Sequence, residues 1–125
     1  MLNLKEKLNP QLKASWVDAL TNGTYVQAKD VMYKTTVNDV HEMCCLGVLE
    51  HICGSTIDEL RIAEDNMPEG MLDRKSPESV LSQKVELTRI NNLSIYRGSL
   101  EGYLAHMNDG GKSFEEIANF IKENL

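Results

Sequence analysis

Cys44-Cys45-Leu46-Gly47-Val48-Leu49 is the stretch on which the fold turns. Val40, Cys44, Val48 and Ile52 recur at every fourth position, and Leu49 and Cys53 widen that stripe to one side, which is the spacing of one apolar helix face. The pattern predicts a helix over about residues 39–53, stopped by Gly54. A glycine inside a helix costs about 1 kcal/mol relative to alanine. Gly47 therefore needs a packing reason, and the close approach of another helix is the expected one.

Upstream, Asn9-Pro10 supplies a capping side chain followed by a proline at the first helical position. Leu12, Trp16, Ala19 and Leu20 follow at helical spacing, and Asn22-Gly23 tolerates the positive φ of a helix end, so a first helix is expected over about 10–21. Between these helices Tyr25-Val26-Gln27 and then Val31, Tyr33, Thr35 and Val37 carry β-branched and aromatic residues in partial alternation around Lys29-Asp30, which reads as a short hairpin. A lone hairpin is marginal in water and must pack on the helices.

Downstream, Met67-Pro68-Glu69-Gly70 reads as a turn, and Ser76-Pro77-Glu78 as the start of a third helix running to about Ile90 and broken by Asn91-Asn92. Leu100, Tyr103, Leu104 and Met107 share a further helical face, ended by Asn108-Asp109-Gly110-Gly111, in which Asp109 reads as turn chemistry. Ser113-Phe114-Glu115-Glu116 has the form of a capping box, and Phe114, Ile117, Ala118 and Ile121, with Phe120 beside them, make the face of the last helix. The expected architecture is mainly α within the α+β class: residues 1–125 as one compact domain of about four to five helices with a small hairpin between the first two long ones.

Composition narrows the functions. Hydrophobic residues are 42% of the 125 and charged residues 26%, an ordinary globular balance. The net charge of −6 opposes binding to nucleic acid and to anionic membrane surfaces and suits either a basic protein partner or plain solubility. No apolar run approaches the roughly 20 residues of a membrane span, and Met1–Lys7 lacks the apolar core of a signal peptide. Three cysteines do not make a disulfide framework, so free thiols in a reducing cytoplasm are expected.

Several clusters could carry chemistry. His41, Cys44, Cys45, His51 and Cys53 are zinc-type donors close in sequence. Adjacent helical residues point about 100° apart, so Cys44 and Cys45 do not meet one ion easily, although His41 and Cys45 would share a face. Buried free thiols are the plainer reading, and no metal or cofactor is expected. A cysteine nucleophile activated by His41, His51 or His106 would make a cysteine-dependent hydrolase. Papain-like hydrolases follow the cysteine helix with a histidine-bearing sheet, and the stretch after Cys53 reads as mainly helical. Gly111–Ala118 resembles the opening of a helix-turn-helix, the alternative of a DNA-binding regulator, but Leu125 comes before a recognition helix and the last helix is acidic to neutral. Finally, Trp16, Tyr25, Gln27 and Tyr33 converge with the Cys44-Cys45 step on one junction of helix, hairpin and helix. They are the candidate lining of a pocket, with simple core packing as the alternative for each. Asp58, Glu59, Glu64, Asp65 and Asp73 form an acidic segment and a candidate partner surface.

Three blocks in order, Trp16–Gln27, Cys44–Leu49 and Leu104–Ala118, resemble a family of small, mostly uncharacterised proteins of tailed bacteriophages and prophage-bearing bacterial genomes. They cover about a quarter of the chain. The chain departs from the pattern at Asn38–Met43, where relatives carry a glycine-rich turn and an aromatic residue, and at Glu50-His51, where relatives often carry another cysteine. The resemblance implies a phage-encoded accessory protein acting in the host cytoplasm, non-enzymatic and without catalytic residues. Phage context suggests counter-defence, either by blocking a host protein or by sequestering a small nucleotide-like signal. Homo-oligomerisation stays open.

Overall fold

The computed structural model describes residues 7–36, 40–54, 56–60, 80–81, 83–88 and 95–125. Helix α1 spans Pro10–Thr21 as expected. The Asn9 side chain accepts from the backbone N–H groups of Gln11 (2.9 Å) and Leu12 (3.1 Å), and Pro10 follows at the first position. The chain leaves the helix at Asn22, whose side chain accepts from the Thr24 N–H, while Gly23 takes a φ of +83°. Trp16, Val17, Ala19 and Leu20 are buried, and α1 packs on α2 (Cys45–Ile52) and on the last helix, α4 (Phe114–Asn124).

The region between α1 and α2 holds three short strands rather than a simple two-stranded hairpin: β1 (Val26–Gln27), β2 (Tyr33–Thr35) and β3 (His41–Met43), in the order β1-β3-β2. β3 is central. It pairs antiparallel with β2, matching Tyr33 to Met43 and Thr35 to His41, and parallel with β1, matching Val26 to Glu42 and Gln27 to Met43. The expected partners, 25–27 with 31–37, are therefore not paired with each other. The helix expected from residue 39 begins only at Cys45, and Val40 lies outside it and is exposed. Helical spacing loses at 41–43 because neighbours on both sides offer ladder partners to that backbone, a tertiary gain that outweighs local periodicity. The cross-strand pair Lys34–Glu42 (3.5 Å) adds little, since Lys34 is half exposed.

Cys44 is the N-cap of α2, its sulfur accepting from the Gly47 N–H at 3.4 Å. Gly47 does have a packing reason, though the neighbour is not a helix. A Cβ there would collide with the backbone carbonyl of Met32, in the segment leading into β2. Beyond α2, Thr56 and Glu59 cap the start of a helical turn at 57–60 reciprocally, at 2.9 and 3.1 Å.

A second correction falls at Lys84–Thr88. This stretch, expected inside a third helix, is strand β4, paired antiparallel with β5 (Ile95–Ser99) from Lys84 against Ser99 to Thr88 against Ile95. Val85 and Leu87 alternate with Lys84, Glu86 and Thr88, the period-two signal that the helical reading passed over. The expected helix start at 76–78, the turn at 67–70 and the break at 91–92 lie outside the described residues.

β5 runs directly into α3 (Leu100–Asp109), whose N-cap Ser99 accepts from the Gly102 N–H at 3.0 Å. Gly110 and Gly111 (φ +106°) then turn the chain into α4, where the Ser113–Glu116 capping box forms in full, at 3.2 and 3.0 Å. The buried side chains form one core around Trp16, Leu49, Leu100, Leu104, Ile117 and Ile121. The whole is a small, mainly helical α+β domain, and among the described residues no helix is long and apolar enough to cross a membrane.

Candidate functional site

Five of the six residues expected to line a pocket are drawn into packing and hydrogen bonding instead. Trp16 is completely buried and donates its indole N–H to the Cys45 carbonyl at 3.0 Å, tying α1 to the start of α2. The Tyr25 hydroxyl meets His51 Nδ1 at 2.9 Å, with the two rings edge to face. Tyr33 is buried, and its hydroxyl reaches both Thr35 Oγ1 (2.7 Å) and His41 Nδ1 (2.5 Å). Each of these histidines is thus engaged by a tyrosine.

Cys45 is sealed in the core, its sulfur 3.6 Å from the Leu104 carbonyl. Burial pushes its thiol well above the ordinary range, with Cys44 and Asp109 adding in the same direction. A nucleophilic cysteine needs the opposite environment. A sheet does follow Cys53, contrary to expectation, but neither β4 nor β5 carries a histidine. Among the described residues no three metal-ligating side chains come together.

Gln27 leads to the group that the residue pattern hid. Its side-chain amide donates to Asn108 Oδ1 (3.0 Å) and to the Lys112 carbonyl (2.7 Å). Asn108, fully buried on α3, also accepts from the Cys45 backbone N–H (3.2 Å) and donates to the Ala28 carbonyl (2.6 Å). One side chain therefore holds β1, the residue after it and the first turn of α2 against α3. The adjacent Asp109 carboxylate accepts from the Asp30 N–H at 2.7 Å, and Asp30 stands at a φ of +66°. Asn108 and Asp109 read as a helix stop. Yet Leu100, Leu104 and Asn108 share one helical row, which puts Asn108 on the buried face, where a polar residue needs partners.

This clamp shapes one wall of a cleft of about 330 Å³. Asp30, Val31 and Met32 stand on one side. Glu101, Gly102, Ala105 and Asp109 of α3 face them, and Cys44 and Leu46 lie at the α2 end. Of the six residues named from the sequence, Cys44 alone lines it. Among the described residues that line the cleft there are three carboxylates and no cationic side chain, with Val31, Met32, Leu46 and Ala105 as apolar members. Of the expected acidic surface, Asp58 is exposed and Glu59 is occupied in the Thr56 cap, while Glu64, Asp65 and Asp73 lie outside the described residues.

Fold and site together define a small α+β domain with Cys45 sealed in its core and an open acidic cleft beside α3. The chain belongs to the family described as a domain of unknown function (DUF8296), whose model matches residues 8–125. Searches of curated proteins and of solved structures give no match.

Proposed function

We propose that this chain is a non-enzymatic binding protein, a phage-encoded accessory protein that works in the host cytoplasm through the cleft beside α3. The observation that carries the reading is the division of roles around the Cys44-Cys45 step. Cys45 is sealed in the core and held protonated, while the adjacent open space is bounded by the Asp109–Asp30 hydrogen bond. The cleft falls within the range of ligand sites, about 300–1,000 Å³.

Counter-defence remains the role that phage context suggests, and of its two forms the border of Asp30, Glu101 and Asp109 favours blocking a host protein. A phosphate-bearing signal would meet three carboxylates there and, among the described lining residues, no cationic side chain. The test is affinity capture from host lysate with the wild-type chain and with Ala105→Trp, which fills the cleft from a half-buried helical position. The variant is expected to keep its thermal midpoint and lose the captured partner. Equal capture by both chains would remove the cleft from the function. Rapid alkylation of Cys45 in the native protein at pH 7 would restore the enzyme reading.

A further inference from the structure

We infer that Asn22-Gly23, at the end of α1, is a site of self-modification, where the chain's own backbone and water convert the Asn22 side-chain amide into a carboxylate, as aspartate or isoaspartate. The chain has one Asn-Gly pair, Asn22-Gly23, and one Asp-Gly pair, Asp109-Gly110. Both are primed for closure of the side-chain carbonyl carbon onto the next backbone nitrogen, because glycine has no Cβ to stand in the way. The fold leaves the first pair open and shuts the second.

At Asn22 the attacking nitrogen is unguarded. Among the described residues no hydrogen bond holds the Gly23 N–H, and a Cβ at Gly23 would meet nothing within 4 Å. Asn22 is exposed and lies just past the last helical residue, with φ −87° and ψ 0°. Turning ψ to bring the Gly23 nitrogen over Cγ disturbs two exposed hydrogen bonds, Thr24 N–H to Oδ1 (2.8 Å) and Nδ2 to Asp18 Oδ2 (3.3 Å). Bonds at a fraying helix end open readily. At Asp109 the same motion is blocked. Asp109 is the last residue of α3, and the Gly110 N–H donates to the His106 carbonyl at 2.9 Å. The Asp109 carboxylate is itself held by the Asp30 N–H (2.7 Å) and by Asn108 Nδ2 (3.2 Å).

The reaction consumes only water. The Gly23 nitrogen, its proton lost to solvent base, bonds to Asn22 Cγ. The Cγ–Nδ2 bond breaks, and Nδ2 leaves as ammonia with a proton from solvent. Water then opens the cyclic imide at Cγ, giving aspartate, or at the Asn22 backbone carbonyl carbon, giving isoaspartate; nothing is oxidised or reduced. Either product puts a negative charge at the C-terminal end of α1, where the helix dipole opposes it, and beside Asp18, which loses its donor. Isoaspartate also adds a backbone carbon between α1 and β1, the strand that Gln27 ties to Asn108.

The experiment holds the purified full chain in mildly alkaline buffer beside a synthetic peptide of residues 16–26. Both are followed by peptide mapping for a mass gain of about 1 Da and by methyl-transfer labelling of isoaspartate. The folded chain is expected to convert at Asn22 about fivefold more slowly than the peptide, the cost of opening two exposed hydrogen bonds. No isoaspartate is expected at Asp109. Asp18→Ala, which releases Nδ2, is expected to speed conversion about twofold, and Asn22→Gln to silence the site. Converted chain separated by anion exchange is expected to melt about 3 °C below the unconverted chain. An unreacted Asn22 in the folded chain, over the time in which the peptide converts, would overturn the inference. So would isoaspartate forming as fast at Asp109, or a mass gain that Asn22→Gln leaves in place.

Discussion

The C-terminal helix pair and the segment from β1 into α2 are of similar size, and they are specified in opposite ways. In α3 and α4 the instructions are local. Ser99 and Ser113 cap their own helices, Glu116 returns the capping bond, and Gly110-Gly111 makes the turn between them. In the β1–α2 segment the instructions are remote. Gln27, Ala28, Asp30 and Cys45 are each held by residues about 60 to 85 positions further along, Asn108, Asp109 and Lys112. Local signals survive in isolation, whereas remote ones exist only once the fold has closed. The cleft lies on the boundary, one wall from each kind of structure.

The sharpest way to break this contrast is Asn108→Ala. It leaves the Cys45 N–H and the Ala28 carbonyl without their side-chain partner in a buried place, at about 1–3 kcal/mol per orphaned group. A loss of about 3–4 kcal/mol in urea unfolding is expected, with the amides of 26–32 losing hydrogen-exchange protection while those of α4 keep theirs. A loss of under about 1 kcal/mol would mean that the clamp is decoration.

Gly47→Ala comes next. Helix propensity alone gains about 1 kcal/mol. The new methyl meets the Met32 carbonyl, part of the backbone rather than a flexible tip, so a net loss of about 2 kcal/mol is expected from calorimetry. Stabilisation would show that the α2–β2 approach is looser than described.

Ser113→Ala tests the local half. Losing one arm of the capping box is expected to cost about 1 kcal/mol and to leave the chemical shifts of β1 and β3 unchanged. A disturbance reaching the sheet would blur the distinction between the two regions.

The smallest effect at neutral pH concerns Cys45. Its thiol is raised in the folded chain, so the native state holds that proton more tightly than the unfolded one. The associated stability is complete below the ordinary thiol value of 9.0 and is lost as pH rises above it towards the folded value. Urea midpoints are expected to be flat from about pH 7 to 8.5, to fall above pH 9, and to fall less steeply in Cys45→Ala. Equal slopes in the two proteins would assign the alkaline loss to other groups.

Much of the helical framework was legible because its signals are close in sequence. Asn9-Pro10, the Trp16–Leu20 face, Asn22-Gly23 and Ser113–Glu116 each work within a turn or two of where they stand. The errors share one cause. Residues 41–43 carry helical spacing and become a central strand because β1 and β2 flank them. Residues 84–88 are a strand because they pair with 95–99, a partner too distant in sequence for local periodicity to register. The site failed to show for the same reason. Trp16, Tyr33 and Cys45 have the composition of a pocket lining, and packing turned them into core. Asp109 has the composition of a turn, and its distance from Asp30 in sequence concealed that the two build a wall together.

By itself, then, the sequence determined where α1, α3 and α4 stand, how α1 and α4 are capped and which apolar side chains they bury, because caps and helical faces are written within a few neighbouring residues. Only the tertiary structure decided that β3 is a strand, that Asn108 is a hub and that an acidic cleft opens beside the cysteine pair. Those outcomes depend on backbone and carboxyl groups that find each other only after distant segments have been brought together, and no local pattern encodes that meeting.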